Sequence, residues 1–392
     1  MSKLEFCELG DLIEFQRGYD LPKSDFVDGP YPVQSSNGIL GYHNEFKVKG
    51  PSITIGRSGT VGIPHLIEDD FFPHNTSLFI KDFKGNDVRY IYYLLKSLRL
   101  GDKKSGSSVP TMNRNHLHPL KIKSFRDVDY QNKLSCVLNA IDKKIKNNNK
   151  INSELEASAK LIYDYWFVQF NFPDKHGNPY KSSGGIMVFN EELNRYIPDG
   201  WEVHSISEKL TIGSGYSFSS NNYINAGKYK VVTIKNIQDH GLKTEKVDYV
   251  KNIPSNMNSF CILEMQDILI SLTGKVGRLC LVNEEDLLLN QRVGKFLSDE
   301  DYKNYIYLTY LRPEFRTWME RIATGSNQKN LSPIDAVKID YAFPPSKILE
   351  KFNALIMNNI SLVVKNSVET KELKKLRDWL LPMLMNGQVK IN

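Results

Sequence analysis

The chain has 392 residues, 41% of them hydrophobic, with 51 Lys plus Arg against 45 Asp plus Glu and a net charge of +6; two or three packed domains are expected, and a polyanionic partner is suited but not required. Its four cysteines, Cys7, Cys136, Cys261 and Cys280, form no close pair, which argues against a disulfide framework or zinc site and for a reducing compartment. The start, MSKLEFCELGDLIEF, holds no apolar signal core, and no run approaches the ~18–20 apolar residues of a membrane span, so a soluble cytoplasmic protein with no membrane partner is expected.

In chain order, one plan is used twice. Each half opens with a short stretch of helical spacing, CELGDLIEF and then HSISEKLTI, before a Gly-Tyr turn at Gly18-Tyr19 and at Gly215-Tyr216. Strand-like segments follow, YPVQSS in the first half and YKVVTI in the second. Next comes a glycine-punctuated piece, SITIGRSGTVGIPHLIEDDFFPHNTSLFI in one half and DILISLTGKVGRLCLVNEEDLLLNQRVGKFL in the other. Gly59 aligns with Gly274, Gly62 with Gly277 and Asn75 with Asn290, each shifted by 215. Tyr- and Leu-rich helical stretches, VRYIYYLLKSLRL and NYIYLTYLRPEFRTWM, lead into polar loops, SGSSVPTMNRN and TGSNQKNLSP, and then into strand-like HPLKIKSF and DAVKIDYAF.

Each half ends in a long helix. Leu134, Leu138, Ile141, Ile145, Asn148, Asn152, Leu155, Ala159, Ile162 and Trp166 fall at alternating spacings of four and three. Phe352, Ile356, Asn359, Val363, Asn366, Thr370, Leu373, Arg377, Leu380 and Leu384 repeat that spacing, offset by 218 throughout. A four–three alternation keeps one stripe on one side of a helix, the seam of a coiled coil. Each helix would be roughly 55 Å long at ~1.5 Å per residue. An isolated apolar stripe gains little until it is covered, and the economical cover is the other stripe. Two ordinary surface helices are the plainer reading, but they would not share a register over ten positions. Asn148 and Asn366 hold matching places, where a polar residue weakens a seam but fixes its register. The expected layout is a first domain over 1–130, a central helix over 131–169, a Gly- and Pro-rich connector with the second domain over 170–345, and a C-terminal helix over 346–392.

No catalytic motif stands out. Gly274-Lys275 lacks the upstream glycine and following hydroxyl of a Walker loop, and Gly213-Ser214-Gly215 lacks the third glycine of a dinucleotide loop. The segment from Gly56 to Gly62 could cradle phosphate, but its counterpart keeps only two of the glycines, which favours strand–turn–strand. His116 and His118 would share a face on a strand but have no third ligand in sequence. No G-x-S-x-G elbow occurs. Asn178-Pro179-Tyr180 lacks the second proline of the box used by amino-methylating enzymes and reads as a turn.

The polar loops are the candidates for reading DNA. They carry Lys103, Lys104, Asn113 and Arg114 in the first half and Asn327, Gln328, Lys329 and Asn330 in the second, side chains able to reach base edges or phosphates. The glycine turns add Arg57 and Ser58, then Lys275 and Arg278, with Gln291 and Arg292 beyond. A solvated loop is the bland reading of any one of them; its recurrence in both halves is what singles out the pair. Asn75 and Asn290 could instead satisfy buried backbone groups, and Tyr19 and Tyr216 could be core residues or contacts, with core favoured.

The segments DILISLTGKVGRLCLV with LNQRV, FPDKHGNPYKSSGGIMVFNEELNRYIPDGWEV, LEASAKLIYDYWF and ETKELKKLRDWLLPMLMNGQVKI together resemble the specificity subunit of type I restriction–modification systems. The first half departs from that pattern, with PSITIGRSGTVGIPHLI and HNTSLF as looser matches. The resemblance implies an α+β fold: two α/β target-recognition domains separated by two long antiparallel helices that form a coiled coil, with a pseudo-twofold internal repeat. It implies double-stranded DNA with a bipartite target as ligand and no catalysis by this chain. It further implies two copies of an adenine-N6 methyltransferase subunit using S-adenosylmethionine, and a nuclease–translocase subunit using ATP and Mg2+. The helix face opposite the seam, near Trp166 and Trp379, would receive the methyltransferases. The alternatives from other classes are a stand-alone DNA methyltransferase or nuclease, and a coiled-coil scaffold that binds no DNA.

Overall fold

The computed structural model describes residues 3–102, 112–239 and 241–391. The chain divides into two compact units, Met1–Lys146 with Glu372–Asn392, and Asn147–Lys371. The division falls inside both long helices, Val128–Tyr163 and Ser346–Met385, so each unit holds a segment of each. The central helix begins at Val128, ahead of the expected residue 131, and ends in a π turn over Asp164–Val168.

The first unit is built on a four-stranded antiparallel sheet in the order Glu14–Arg17, Ser77–Asp82, Ser52–Gly56, Pro64–Ile67. A three-stranded sheet sets Tyr31–Ser35 between Gly38–His43 and Phe72–Pro73, and Leu4–Glu8 pairs with Lys121–Phe125. The helix Val88–Ser97 is capped by the Asp87 carboxylate, which accepts from Tyr90 N–H at 2.7 Å, an N-cap arrangement worth ~1 kcal/mol. Its Tyr90, Ile91, Leu94 and Leu95 enter one core with Leu9, Phe15, Ile53 and Ile80.

The second unit repeats this topology with a strand added to its second sheet. Its four-stranded sheet runs Leu210–Ser214, Val293–Ser298, Ile268–Ser271, Leu279–Leu281; a second runs Asp248–Val250, Tyr229–Val232, Leu287–Leu289, Ile262–Leu263; and Glu202–Ser205 pairs with Asp340–Phe343. The repeat extends to single backbone bonds. Gly62 N–H donates to Gly56 C=O at 3.0 Å, and Gly277 N–H to Ser271 C=O at 2.9 Å. Tyr19 N–H donates to Pro73 C=O, and Tyr216 N–H to Leu289 C=O, both at 2.8 Å. A Cβ on Gly18 would lie 2.2 Å from the His74 carbonyl oxygen, and one on Gly215 would lie 2.4 Å from that of Asn290. Only glycine permits either approach.

These bonds correct several expectations. Asn290 occupies the place of His74 and not of Asn75: His74 N–H reaches Gln34 C=O as Asn290 N–H reaches Val232 C=O. The halves therefore slip by one residue between the glycine turn and this point. The opening stretches of helical spacing are each a strand, a single 3-10 turn and a strand, with the turns at Leu9–Asp11 and Ile206–Glu208. They are too short to gain from helix propagation, and cross-strand partners are at hand. His116 lies on, and His118 caps, a single helical turn, Arg114–Leu117, and not a strand. The connector is more ordered than its composition suggests: it forms a hairpin, Met187–Asn190 with Arg195–Pro198, and sends Phe170, Phe172 and Trp201 into the core.

Within the second unit, the two helix segments run antiparallel. Asn366 donates to Asn152 Oδ1 at 2.9 Å, Asn152 to the Val363 carbonyl at 3.1 Å, and Asn148 to Glu369 at 2.7 Å. Asn148, Leu155, Ile162, Ile356, Val363 and Asn366 are buried or half-buried. Tyr163, Trp166, Phe167 and Phe352 close the end of the pair, with Phe167 meeting Phe352 edge-to-face at 4.6 Å; such aromatic pairs add ~0.5–1.5 kcal/mol beyond burial. Burial pushes the Tyr163 hydroxyl far above its ordinary pKa, and it shares hydrogen bonds with Thr309 at 2.6 Å and Tyr341 at 3.2 Å. Trp166, which the four–three spacing places on the seam, is core, whereas Trp379 is 56% exposed.

Within the first unit, Leu134 and Leu138 share a core with Leu381 and Leu384, with Leu380 packed against it. Ile141 and Ile145 are buried and Leu373 half-buried. Arg377 donates to Asp142 Oδ1 at 2.8 Å, and Tyr93 donates to Asp142 Oδ2 at 2.8 Å. That carboxylate ties the helix pair to the helix Val88–Ser97.

In the second unit, Glu284 does similar work for Lys371 of the C-terminal helix, holding it together with Lys230 and Thr244. Burial alone would raise the Glu284 carboxyl; the hydrogen bonds from Lys230, Lys371 and Thr244 outweigh it and hold the group below its ordinary value.

Candidate nucleic-acid interface

In the first unit, two stretches singled out separately in the sequence come together. The turn after Ser52–Gly56 carries Arg57 and Ser58, whose amides both reach the Thr76 carbonyl. Met112 N–H donates to Arg57 C=O at 2.8 Å, which pins the exit of the polar loop to that turn. Asn113 caps the next helical turn by accepting from Asn115 N–H at 3.1 Å. Arg57, Asn113 and Arg114 then line one open cleft of about 460 Å³ with Gln16, Arg17, Gly18, Tyr19, Asp20 and Leu78. Ser58 is half-buried beside it. Lys103 and Lys104 lie outside the described residues.

Sequence reasoning missed Gln16, Arg17 and Asp20, and favoured core over contact for Tyr19. The signal was present, in a run of polar residues around an obligatory glycine. Tyr19 packs against Phe72 and Phe79 but is 38% exposed, so the expectation of a core residue fails here. Tyr216 fits it better, half-buried between two apolar clusters with its hydroxyl on Asn256 at 2.8 Å.

Behind the cleft, His118 Nε2 accepts from Phe15 N–H at 3.0 Å. Burial, and then the charges of Lys84 and Arg114, lower its pKa and keep the ring a neutral acceptor.

The second unit repeats the attachment of loop to turn. Leu331 N–H donates to Leu272 C=O, and Gly274 N–H to Lys329 C=O, both at 2.8 Å. The first of these is the counterpart of Met112 on Arg57. Asn327, Gln328, Lys329 and Asn330 are exposed on this loop, and the Lys329 ammonium also meets the Glu320 carbonyl at 2.5 Å. Lys275, Gln291 and Arg292 are exposed. Asn290 is buried and accepts from Arg292 N–H at 3.3 Å, a structural part. Arg278 is mostly covered: it donates to Asp239 Oδ2 at 2.9 Å while Arg316 donates to Oδ1 at 3.1 Å. A second open cleft, about 350 Å³, is lined by Pro313, Glu314, Thr317, Trp318 and Arg321 and by none of the sequence candidates.

Cationic and amide side chains on loops, held by backbone bonds to a rigid sheet, are the means by which proteins contact phosphates and base edges. Among the described residues no helix is long and apolar enough to cross a membrane.

Comparison with known proteins agrees with this chemistry. The family model described as type I restriction modification DNA specificity domain matches residues 1–157 and 198–375. The chain is 26% identical over 313 residues to the type I restriction enzyme MjaIX specificity subunit of Methanocaldococcus jannaschii, covering 77% of this chain and 69% of that one. It is 22% identical over 314 residues to the HindI specificity subunit of Haemophilus influenzae, covering 67% and 68%. Its fold is similar to the crystal structure of a type I restriction–modification S subunit from M. genitalium, with a TM-score of 0.66 and 17% identity over 98% of this chain and 96% of that one.

Proposed function

The chain belongs to the family of type I restriction–modification DNA specificity domains, and on that premise we propose that it reads a bipartite DNA site, one half with each unit, without performing chemistry itself. The observation that carries this reading is the duplicated attachment of a polar loop to a glycine turn, Met112 on Arg57 and Leu331 on Leu272. Both units build the same frame, and the side chains on it differ. Arg17, Asp20 and Arg57 surround the frame in one unit, and Lys275, Gln291 and Arg292 in the other. Two halves of one plan with different contact residues suit two different half-sites.

Two readers on one chain bind as an intramolecular pair, which raises overall affinity when their spacing matches the target. The helix pair would set that spacing, and would dock two methyltransferase copies that supply S-adenosylmethionine chemistry. A nuclease–translocase driven by ATP and Mg2+ would complete the restriction complex. The exposed apolar residues of the long helices, such as Leu161, Leu355, Met357 and Trp379, suit such docking.

Exchanging residues 1–130 for the matching domain of another specificity subunit tests the reading. Methylated-base mapping should then show one half-site replaced and the other kept. An unchanged methylated sequence would refute it.

A further inference from the structure

Resting on the DNA-reading role above, we propose that Arg17 and Asp20 act together as the reader of one C·G base pair in the major groove, with Asp20 accepting from the cytosine N4 amino group and Arg17 donating to guanine O6 and N7. The inference starts from a charge that a simple phosphate cleft would not contain. Three arginines, Arg17, Arg57 and Arg114, line the cleft, and among them stands the Asp20 carboxylate. A carboxylate repels phosphate, and in the major groove its natural partner is an exocyclic amino group.

Asp20 contributes little to stability through its ion pair. Its side chain is 71% exposed and that of Arg17 is 51% exposed, and their contact is 3.3 Å long; an ion pair so open to water adds little stability. Both of its contacts, from Arg17 and from Asn75, fall on Oδ1. That leaves Oδ2 without a hydrogen bond among the described residues. Asp239 of the second unit shows the contrast: its two oxygens are each taken by an arginine, Arg278 and Arg316, so it serves as a clamp.

The pair is also held in place. Gly18, between the two residues, donates to Ser77 C=O at 3.0 Å, and Tyr19 donates to Pro73 C=O at 2.8 Å. Asn75 fixes the carboxylate from the neighbouring loop. The layout suits the target: cytosine N4 and guanine O6 lie side by side in the groove, joined by a Watson–Crick hydrogen bond of about 2.9 Å, and Arg17 and Asp20 lie side by side in contact. An A·T pair offers an amino group and one acceptor in similar places, but it lacks the two acceptors a guanidinium engages and adds the thymine methyl.

The test is selection from a randomised duplex pool by the full chain, purified with the subunits that accompany it, for the unaltered protein, Asp20→Asn and Arg17→Gln. The unaltered chain should enrich a motif with a C·G pair at one position. Both substitutions should relax that same position, lowering discrimination there by about tenfold or more, and leave the rest of the motif intact. Melting curves establish that each variant folds, and Arg17→Gln alone suffices if Asp20→Asn does not. A motif unchanged in both variants, variants that relax different positions, or an A·T pair at the shared position would overturn the assignment while leaving the DNA-reading role standing. A chain that enriches no motif would overturn both.

Discussion

Asn366 and Thr370 sit one turn apart on the same stripe, yet their polar atoms fare differently. Asn366 donates to Asn152, whereas Thr370 Oγ1 and Asn148 Oδ1 are buried with no hydrogen bond among the described residues. A buried polar atom left unpaired carries its full desolvation cost, and removing it relieves that cost. Thr370→Val should therefore stabilise the protein by about 0.5–1 kcal/mol, while Asn366→Val, which strips Asn152 of its donor, should destabilise it by about 1–3 kcal/mol. Urea melts of the two variants check this; shifts of the same sign would contradict it. For the cleft, Arg57→Ala and Arg114→Ala should weaken binding to every sequence alike and lower the slope of log K against log salt by about 1 each, measured by titration across ionic strength. Residue types and rough positions were legible in the sequence, because Arg57, Asn113 and Arg114 stand in stretches repeated between the halves. Their convergence was not, since it depends on a backbone bond from Met112 to Arg57 that no local pattern encodes. Asn75 was paired with the wrong partner for a related reason: a one-residue slip leaves no mark on composition, and only the bonds of His74 and Asn290 reveal it.

At the scale of elements, the long helices were the most readable part, because ten matched positions at four–three spacing leave one face to bury. The short opening stretches were misread, because apolar residues three or four apart in so short a segment also suit a strand, turn and strand. Beside the apolar cores, charged side chains also fasten the elements together, and these contacts were invisible in sequence. Glu284 has a folded-state pKa below its ordinary value, so its contribution is complete above the ordinary carboxylate range, near pH ~4.3, and is lost as pH falls from there through the lowered folded value. His118 is lowered too, so its neutral form supports the fold above pH ~6.5 and the support is lost on acidification through its folded pKa. Melting temperature should fall in two stages on acidification. Glu284→Gln should flatten the lower stage and His118→Gln the upper, and curves that kept their shape would contradict these assignments. In the core, Phe352→Ala should cost about 3–5 kcal/mol, read from denaturant titration.

At the scale of the whole molecule, the sequence displayed a duplicated plan, and the matching strand orders of the two sheets bear the repeat out. The half-sites proposed for the two units stay outside what the fold encodes, because the frame is shared and, in that reading, a few exposed side chains carry the difference. The central claim is that two readers are kept at a set separation by paired helices. The direct test inserts one heptad into each long helix at matched levels, near residues 146 and 371, and maps methylated adenines genome-wide. About 10 Å of added helix corresponds to roughly three base pairs, so the account predicts unchanged half-sites separated by a gap longer by about that much. An unchanged gap, in a variant that folds and assembles, would contradict it.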